Sequence, residues 1–305
     1  MKRTKKFLVG FLATLSVFSG SLGLAACGGN DNSIDKGATK GLHYQKIAGK
    51  DEYRVVDLGM AEETDIVISS TYKGLPVTEI GDMAFYMLDG AMSLTSITIP
   101  DGVKSIGDST FYGCSSLKSI EIPDSVTSIG EGAFYNCENL TYNEKNNLKY
   151  LGNKQNYYLY LAGVKDTSIV TVAIENTCKW IGDFAFSGCN SLTSVFISGS
   201  VAFIGEYAFS GCGSLTSVFI SEGVTSIGNS AFYHCDSLIS IEIPNSVTSI
   251  SNSAFSYCDS LMDITFNGTK KEWNAIEKGE PWKNRVPATK VVCSDGEVEI
   301  GDKRA

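Results

Sequence analysis

Ile204-Gly-Glu-Tyr-Ala-Phe209-Ser-Gly-Cys212-Gly-Ser-Leu215-Thr-Ser-Val218-Phe-Ile220-Ser-Glu-Gly-Val224-Thr-Ser226 is a 23-residue stretch whose pattern returns along most of the chain. Its starts fall at Ile106, Ile129, Ile181, Ile204, Ile227 and Ile250, and an earlier copy begins at Ile80 with three extra residues before Leu94. Self-similarity at such a period is the signature of a stacked-repeat architecture. Counting the starting Ile as offset 0, the apolar positions are 0, 5, 8, 11, 14, 16 and 20. The tail Leu-x-x-Val-x-Ile alternates as a strand does. Ala-Phe-x-x-Cys-x-x-Leu has a spacing of three to four, which reads as one or two turns of α or 3₁₀ helix. Pro100, Pro123 and Pro244 end strands where no further ladder donor is wanted. The Val-x-x-Ile segment, such as Val126 to Ile129, is a candidate second short strand. One repeat cannot bury enough apolar surface to offset the entropy of ordering 23 residues, so neighbours must stack. The expected fold is an α/β repeat solenoid: parallel sheet, short helices or 3₁₀ turns, and layers about 4.8 Å apart.

The pattern Ile-Gly-x-x-Ala-Phe-x-x-Cys-x-Ser-Leu-x-Ser-Ile-x-Ile-Pro-x-x-Val resembles the BspA-type leucine-rich repeat, also called the Treponema pallidum type, over about residues 76–266. The resemblance implies a curved right-handed solenoid on a bacterial surface. It also implies adhesion to host proteins or other bacteria, with no shared catalytic residues.

The repeat breaks between Ile129 and Ile181, which are 52 residues apart, or two periods and six residues. Ile169, Val172, Ile174 and Cys178 regain register, but the Ala-Phe-x-x-Cys half is missing. In its place, within an irregular insert at about 141–168, two apolar runs flank Gly152-Asn-Lys-Gln155 and read as a β-hairpin. One reading is a splice between two repeat blocks. The other is a protruding contact element carrying Tyr150, Tyr157, Tyr158 and Tyr160, because Tyr offers large amphipathic area at low entropic cost. Solenoid ends need caps. Residues 41–75 carry alternating stretches (His43 to Ile47, Tyr53 to Leu58, Asp65 to Ile68) that suggest a β cap. In 267–305, Thr269-Lys-Lys-Glu272 is a capping-box pattern opening a short helix with Trp273 and Ile276. Val291 to Val298 reads as a closing hairpin over Asp295-Gly296.

The N-terminus reads as an address. Lys2, Arg3, Lys5 and Lys6 precede an apolar run from Phe7 to Leu24, then Leu24-Ala25-Ala26-Cys27. A basic head and apolar stretch make a secretory signal, expected over 1–26. A transmembrane helix is the competing reading, weakened by Gly10, Ser16, Ser19, Gly20, Ser21 and Gly23. The four residues ending at Cys27 resemble the lipobox of bacterial lipoproteins. That likeness implies a diacylglyceryl group on the Cys27 thiol and a membrane anchor, with residues 27–40 as a flexible tether. The chain has 34 acids and 25 bases, a net charge of −9. Without the four leader bases the body is more acidic still, which argues against nucleic acid as a partner.

Nine cysteines in an exported chain raise the question of disulfides. Cys114, Cys137, Cys189, Cys212, Cys235 and Cys258 all occupy offset 8. Stacking brings their Cα atoms within disulfide range, but their Cβ vectors run side by side, so buried free thiols are expected. A Cys212→Ser exchange is then expected to bury a hydroxyl without an assured partner. No Cys-x-x-Cys pair suggests zinc, and no cofactor or metal is expected. His234 beside Cys235 resembles a nucleophile pair only in sequence, since adjacent residues on a short helix point apart. The carboxylates are too scattered to nominate an acid/base pair, and an enzyme is not expected. On the outer sheet face, offsets 13 and 15 are small or charged in most copies (Ser119 and Glu121, Ser240 and Glu242, Asp263 and Thr265). Phe196 and Phe219 interrupt that rule in adjacent copies and are the candidate contact pair. The expected ligand is a protein on a host or bacterial surface. The alternative is a glycan.

Overall fold

A computed structural model describes residues 33–88 and 93–301. The segment 1–26 expected to be a signal, and Cys27, the expected lipidation site, lie outside these residues. Each alternating tail forms a strand. Ser194–Ile197, Ser217–Ile220 and Ser240–Ile243 expose and bury successive side chains in turn. Ser194 faces Ser217, Val195 Val218, Phe196 Phe219 and Ile197 Ile220 in a parallel ladder. With Thr171–Ala173, Asp263–Phe266 and the closing hairpin they build a seven-stranded sheet. The Val-x-x-Ile segments form the second strand of each turn, as in Phe203–Ile204, Ser226–Ile227 and Ser249–Ile250. These belong to an eight-stranded sheet. The N-terminal repeats repeat the arrangement in a six-stranded and a three-stranded sheet. The Ile-Gly step brings layers together: a Cβ on Gly205 would lie 2.6 Å from the Gly182 carbonyl carbon.

The Ala-Phe-x-x-Cys segment differs from its expected helical form. In every described repeat it is a run of turns, and the one α-helix among the described residues is Lys270–Ala275 in the C-terminal cap. Offsets 3 and 7 take left-handed backbone, as at Tyr207 (φ 51°), Ser230 (53°), Gly211 (71°) and His234 (56°). Two such residues in five break any helix. The liberated donors run along the solenoid axis instead. Tyr207, Phe209 and Gly211 N–H groups donate to the carbonyls of Asn229, Ala231 and Tyr233, at 2.9, 2.7 and 2.8 Å. The turn side is thus a third inter-layer hydrogen-bond ladder. Gly and Asn at offset 7 (Gly113, Asn136, Gly188, Gly211) record this backbone requirement.

The core repeats with the chain. Phe186, Phe209, Phe232 and Phe255 stack with centroids 4.9, 5.1 and 5.4 Å apart. Phe85, Phe111 and Phe134 do the same in the first block. All eight described cysteines are buried, and none is paired with another in a disulfide. The Cys212 thiol donates to the carbonyl of Phe186 one layer back at 3.2 Å, Cys235 likewise to Phe209, and Cys258 to Phe232. Burial pushes the Cys212 thiol up to about 12, which removes thiolate reactivity at neutral pH. The expectation that a serine here lacks a partner is therefore corrected: the carbonyl is already in place.

The caps match their sequence pattern with small shifts. His43–Lys46 pairs antiparallel with Tyr53–Asp57, which pairs parallel with Leu75–Ile80 and so joins the cap to the first layer. Part of the segment read as tether is docked on this cap. Asp35 accepts from the Ser70 N–H, the Ser70 hydroxyl and the Thr71 hydroxyl. Hydrogen bonds from Ser70 and Thr71 hold its carboxyl down at about 2. At the other end Thr269 and Glu272 form the capping box and Trp273 is buried. In the closing hairpin Cys293 pairs with Gly296, so the turn is Ser294-Asp295 rather than Asp295-Gly296.

We predict that Cys212→Ser costs about 1 kcal/mol, no more than Cys212→Ala, because the hydroxyl keeps the Phe186 carbonyl while alanine leaves a void. Denaturant unfolding of the two variants checks the order. Thiol titration of the unfolded, unreduced protein is expected to find all six offset-8 cysteines reactive.

Candidate functional site

Phe196 and Phe219 emerge from the seven-stranded sheet at outward positions. They are 51% and 49% exposed, with ring centroids 5.2 Å apart and planes 9° from parallel. Strand register alone enforces this, since the two residues are direct ladder partners. Ala173 and Glu242 flank the pair in the same column. The rings are open at their edges on a face that otherwise carries mostly Ser, Thr and carboxylates, with Ala173 beside them and Val292 and Lys290 at the far edge strand. Exposed Ile239 and Met262 immediately precede the next two strands of the sheet, Ser240–Ile243 and Asp263–Phe266. The pair is an apolar knob of two residues with a polar surround, the composition of a contact hot spot.

The tyrosine-rich insert is built differently from a protruding element. Asn143–Lys145, Leu148–Leu151 and Tyr160–Val164 form an antiparallel meander whose last strand pairs parallel with Trp180–Ile181. Leu148, Tyr150 and Leu161 pack into the C-terminal core, whereas Leu151, Leu159 and Tyr160 pack into the N-terminal one. The insert is thus a wall between two cores. Asn153 ties it down: its amide donates to the Ile122 carbonyl and Asp124, and its oxygen accepts from Gln155 and Asn156 N–H. Tyr150 is fully buried, with its hydroxyl accepting from the Glu175 N–H. Tyr150 and Tyr160 therefore leave the outward contact set. Tyr158 is half-buried against Tyr150, and Tyr157 alone is well exposed. The alternation that would have placed Tyr150 inward is present in Leu148-Lys-Tyr150, but which core it faces needs the second block.

Sequence reasoning missed a column of carboxylates. Asp82, Asp108, Glu131, Asp183 and Glu206 all fall at offset 2, so a fixed-offset search for acids finds them. Far from scattered, they cap successive layers: Asp108 N–H donates to Asp82, Glu131 N–H to Asp108, and Glu206 N–H to Asp183 at 2.6 Å. Asp183 also accepts from the Gly132 N–H across the splice. Burial, then mutual repulsion, raises the later members. Asp183 is pushed up to about 6 and Glu206 to about 7. The next two layers carry Asn229 and Asn252 at this offset, and Asn229 donates to Glu206. Beside Asp183 the splice leaves a cavity of about 220 Å³. A hollow of about 380 Å³ under the hairpin at 46–51 is lined by that one turn. Among the described residues, no group of three or more His, Cys, Asp or Glu side chains is placed to hold a metal ion. His234 is exposed, stacked on Tyr257 and 3.2 Å from Asp236, while the Cys235 thiol points into the core.

A repeat solenoid whose layers are joined by parallel ladders on the two sheets and by main-chain hydrogen bonds on the turn side has the architecture of a leucine-rich-repeat scaffold. A family model described as the BspA type leucine rich repeat region, in six copies, matches residues 75–161 and 163–275, and the chain belongs to that family. No curated protein matches the chain. Among solved structures, a Treponema pallidum leucine-rich repeat protein is 22% identical over 81% of this chain and 89% of its own, with a TM-score of 0.35. A leucine-rich cell surface protein of Faecalibacterium prausnitzii is 23% identical over 78% and 96%, with a TM-score of 0.38. The pneumococcal vaccine antigen PcpA is 16% identical over 74% and 57%, with a TM-score of 0.44. The family points to a binding role, typically without enzymatic activity, and to an extracytoplasmic location. Among the described residues no helix is long and apolar enough to cross a membrane.

The acid column makes a pH prediction. Glu206 titrates higher folded than unfolded, so its charge opposes folding above about pH 7 and this penalty fades as pH falls toward 4.5. Glu206→Gln keeps the acceptor for Asn229 and removes the charge. Allowing for partial exposure and screening, we predict a Tm gain of about 2–4 °C at pH 8, the shift given by about 1 kcal/mol in a domain of this size. The gain should vanish at pH 5, as thermal melts at the two pH values will show.

Proposed function

We propose that the protein is a lipid-anchored surface protein that binds a protein ligand through the outer face of its seven-stranded sheet, with Phe196 and Phe219 as the anchor. The observation that carries this reading is the half-exposed, in-register Phe pair on a face where the other copies place small or charged residues. Two apolar rings in a polar surround supply a desolvated centre and a wet rim. The lipobox-like Leu24-Ala25-Ala26-Cys27 supports the anchor, and two acyl chains would make it stable where one would not. Tyr157, exposed on the insert, is a secondary contact candidate.

The test is binding of the protein to arrays of host-matrix proteins and of defined polysaccharides, with and without the paired exchange Phe196→Ser and Phe219→Ser. The other copies carry Thr98, Glu121, Ala173, Glu242 and Thr265 at this offset, so a small polar residue is compatible with the sheet. We expect a matrix-protein ligand whose affinity falls about 30-fold or more in the variant, equivalent to about 2 kcal/mol, with Tm nearly unchanged. Unaltered binding with a lowered Tm would assign the rings to sheet stability alone, and binding confined to polysaccharides would establish the glycan reading instead. For the anchor, Cys27→Ala is expected to leave the precursor uncleaved or mislocalised, and wild-type protein should require detergent for extraction. Wild-type protein recovered without detergent and bearing a free Cys27 thiol would exclude lipidation.

A further inference from the structure

The two repeat blocks meet unevenly at the insert. On the turn side they touch directly: Gly132 N–H reaches the Asp183 carboxylate, and the Tyr135 and Phe184 rings lie 4.7 Å apart. That is the spacing of neighbouring layers, as between Phe184 and Tyr207 at 5.0 Å. On the sheet side the strand Tyr160–Val164 stands between them. The missing half-repeat thus leaves a wedge, and its open part is the cavity of about 220 Å³ between Phe134–Glu138 and Asp183–Phe184. Tyr142, Tyr160 and Ala162 complete its lining. Tyr160 meets Phe134 edge-on at 5.2 Å, so the continuous Phe stack of the core is interrupted here by a tyrosine.

Three properties define what fits. The walls are aromatic, with Tyr135, Tyr142, Tyr160 and Phe184 around one opening. The charge is negative, from Asp183 and Glu138, and no Lys, Arg or His lines the cleft. The main chain is unfinished: Phe111 and Gly113 donate to the next layer at Ala133 and Tyr135, whereas Phe134 and Asn136 N–H groups find no carbonyl among the described residues. Aromatic faces and carboxylates together favour a cation, and the open donors favour an occupant with carbonyls of its own. We propose that this cleft receives an arginine or lysine side chain presented by a polypeptide partner.

Charge complementarity extends beyond the cleft. Asp108, Glu131 and Glu206 lie in the same column as Asp183, and none of these four is in an ion pair with a base among the described residues. Burial first, and then repulsion from the other acids of the column, raises Asp183 and Glu206. An acidic body steers a basic partner toward it and repels an anionic one. The proposal rests on the protein-binding reading for its class of partner, but it uses a face distinct from the Phe196–Phe219 pair.

The experiment follows alanine methyl resonances of the protein during titration with acetyl-Gly-Arg-Gly-amide, and in parallel with the peptide in which citrulline replaces arginine. Ala162 lines the cleft, and Ala173 sits beside Phe196 as the reporter of the sheet face. The arginine peptide should move Ala162 and not Ala173. Citrulline, which keeps the shape and loses the charge, should bind at least about 10-fold more weakly. Glu138 is exposed, so Glu138→Gln leaves the fold intact and should weaken the arginine peptide about 3-fold or more. Equal binding of the two peptides, an unmoved Ala162, or an insensitive Glu138→Gln variant would overturn the proposal. So would displacement of Ala162 by maltoheptaose but not by the arginine peptide, which would make the cleft a sugar site. Movement of Ala173 alone would also overturn it while leaving the sheet face as a protein-binding surface.

Discussion

Every layer of this solenoid leaves its main-chain donors and acceptors pointing along the axis, and the fold stands on the next layer receiving them. The constraint acts on all three sides. The two sheets satisfy it with parallel ladders, and the turn side satisfies it with N–H groups at offsets 3, 5 and 7. Buried main-chain groups left unpaired are costly, so the layers must approach closely and keep strict register. That requirement selects the offset-1 glycine, where a Cβ would collide with the layer behind. It selects left-handed backbone at offsets 3 and 7. It also explains the buried cysteines, whose thiols find a carbonyl one layer back.

The insert shows what happens when one rung is omitted. Its strands face two ways, filling the end of one core and the start of the other, while Asn153 and Asp183 tie the blocks together with side-chain hydrogen bonds where main-chain ones are missing. The mismatch between turn side and sheet side leaves the wedge-shaped cavity. The two binding surfaces proposed for this scaffold arise in different ways. One is a substitution at an outward position that the fold tolerates, as at Phe196 and Phe219. The other is a break in the repeat itself.

The regular part of the molecule was legible in the sequence because its information is periodic. The 23-residue interval fixed the strand register, so Phe196 and Phe219 could be placed side by side from their offsets, and the structure puts them there. Both strands of each turn, the capping box at Thr269 and Glu272 and the buried, unbridged cysteines were readable for the same reason. The spacing of Ala-Phe-x-x-Cys misled, because a run of turns with two left-handed residues places Phe and Cys inward as a short helix would. The Gly and Asn at offset 7 were the available sign of it.

What the sequence determined by itself is the layer: which residues face the core, which face solvent, and that identical layers must stack. What only the tertiary structure decided is the junction. No periodicity tells which core Tyr150 and Tyr160 enter, or that the blocks touch on one side and part on the other. These depend on contacts between non-equivalent segments, and such contacts are set by how two finished stacks pack, not by the pattern that each stack repeats.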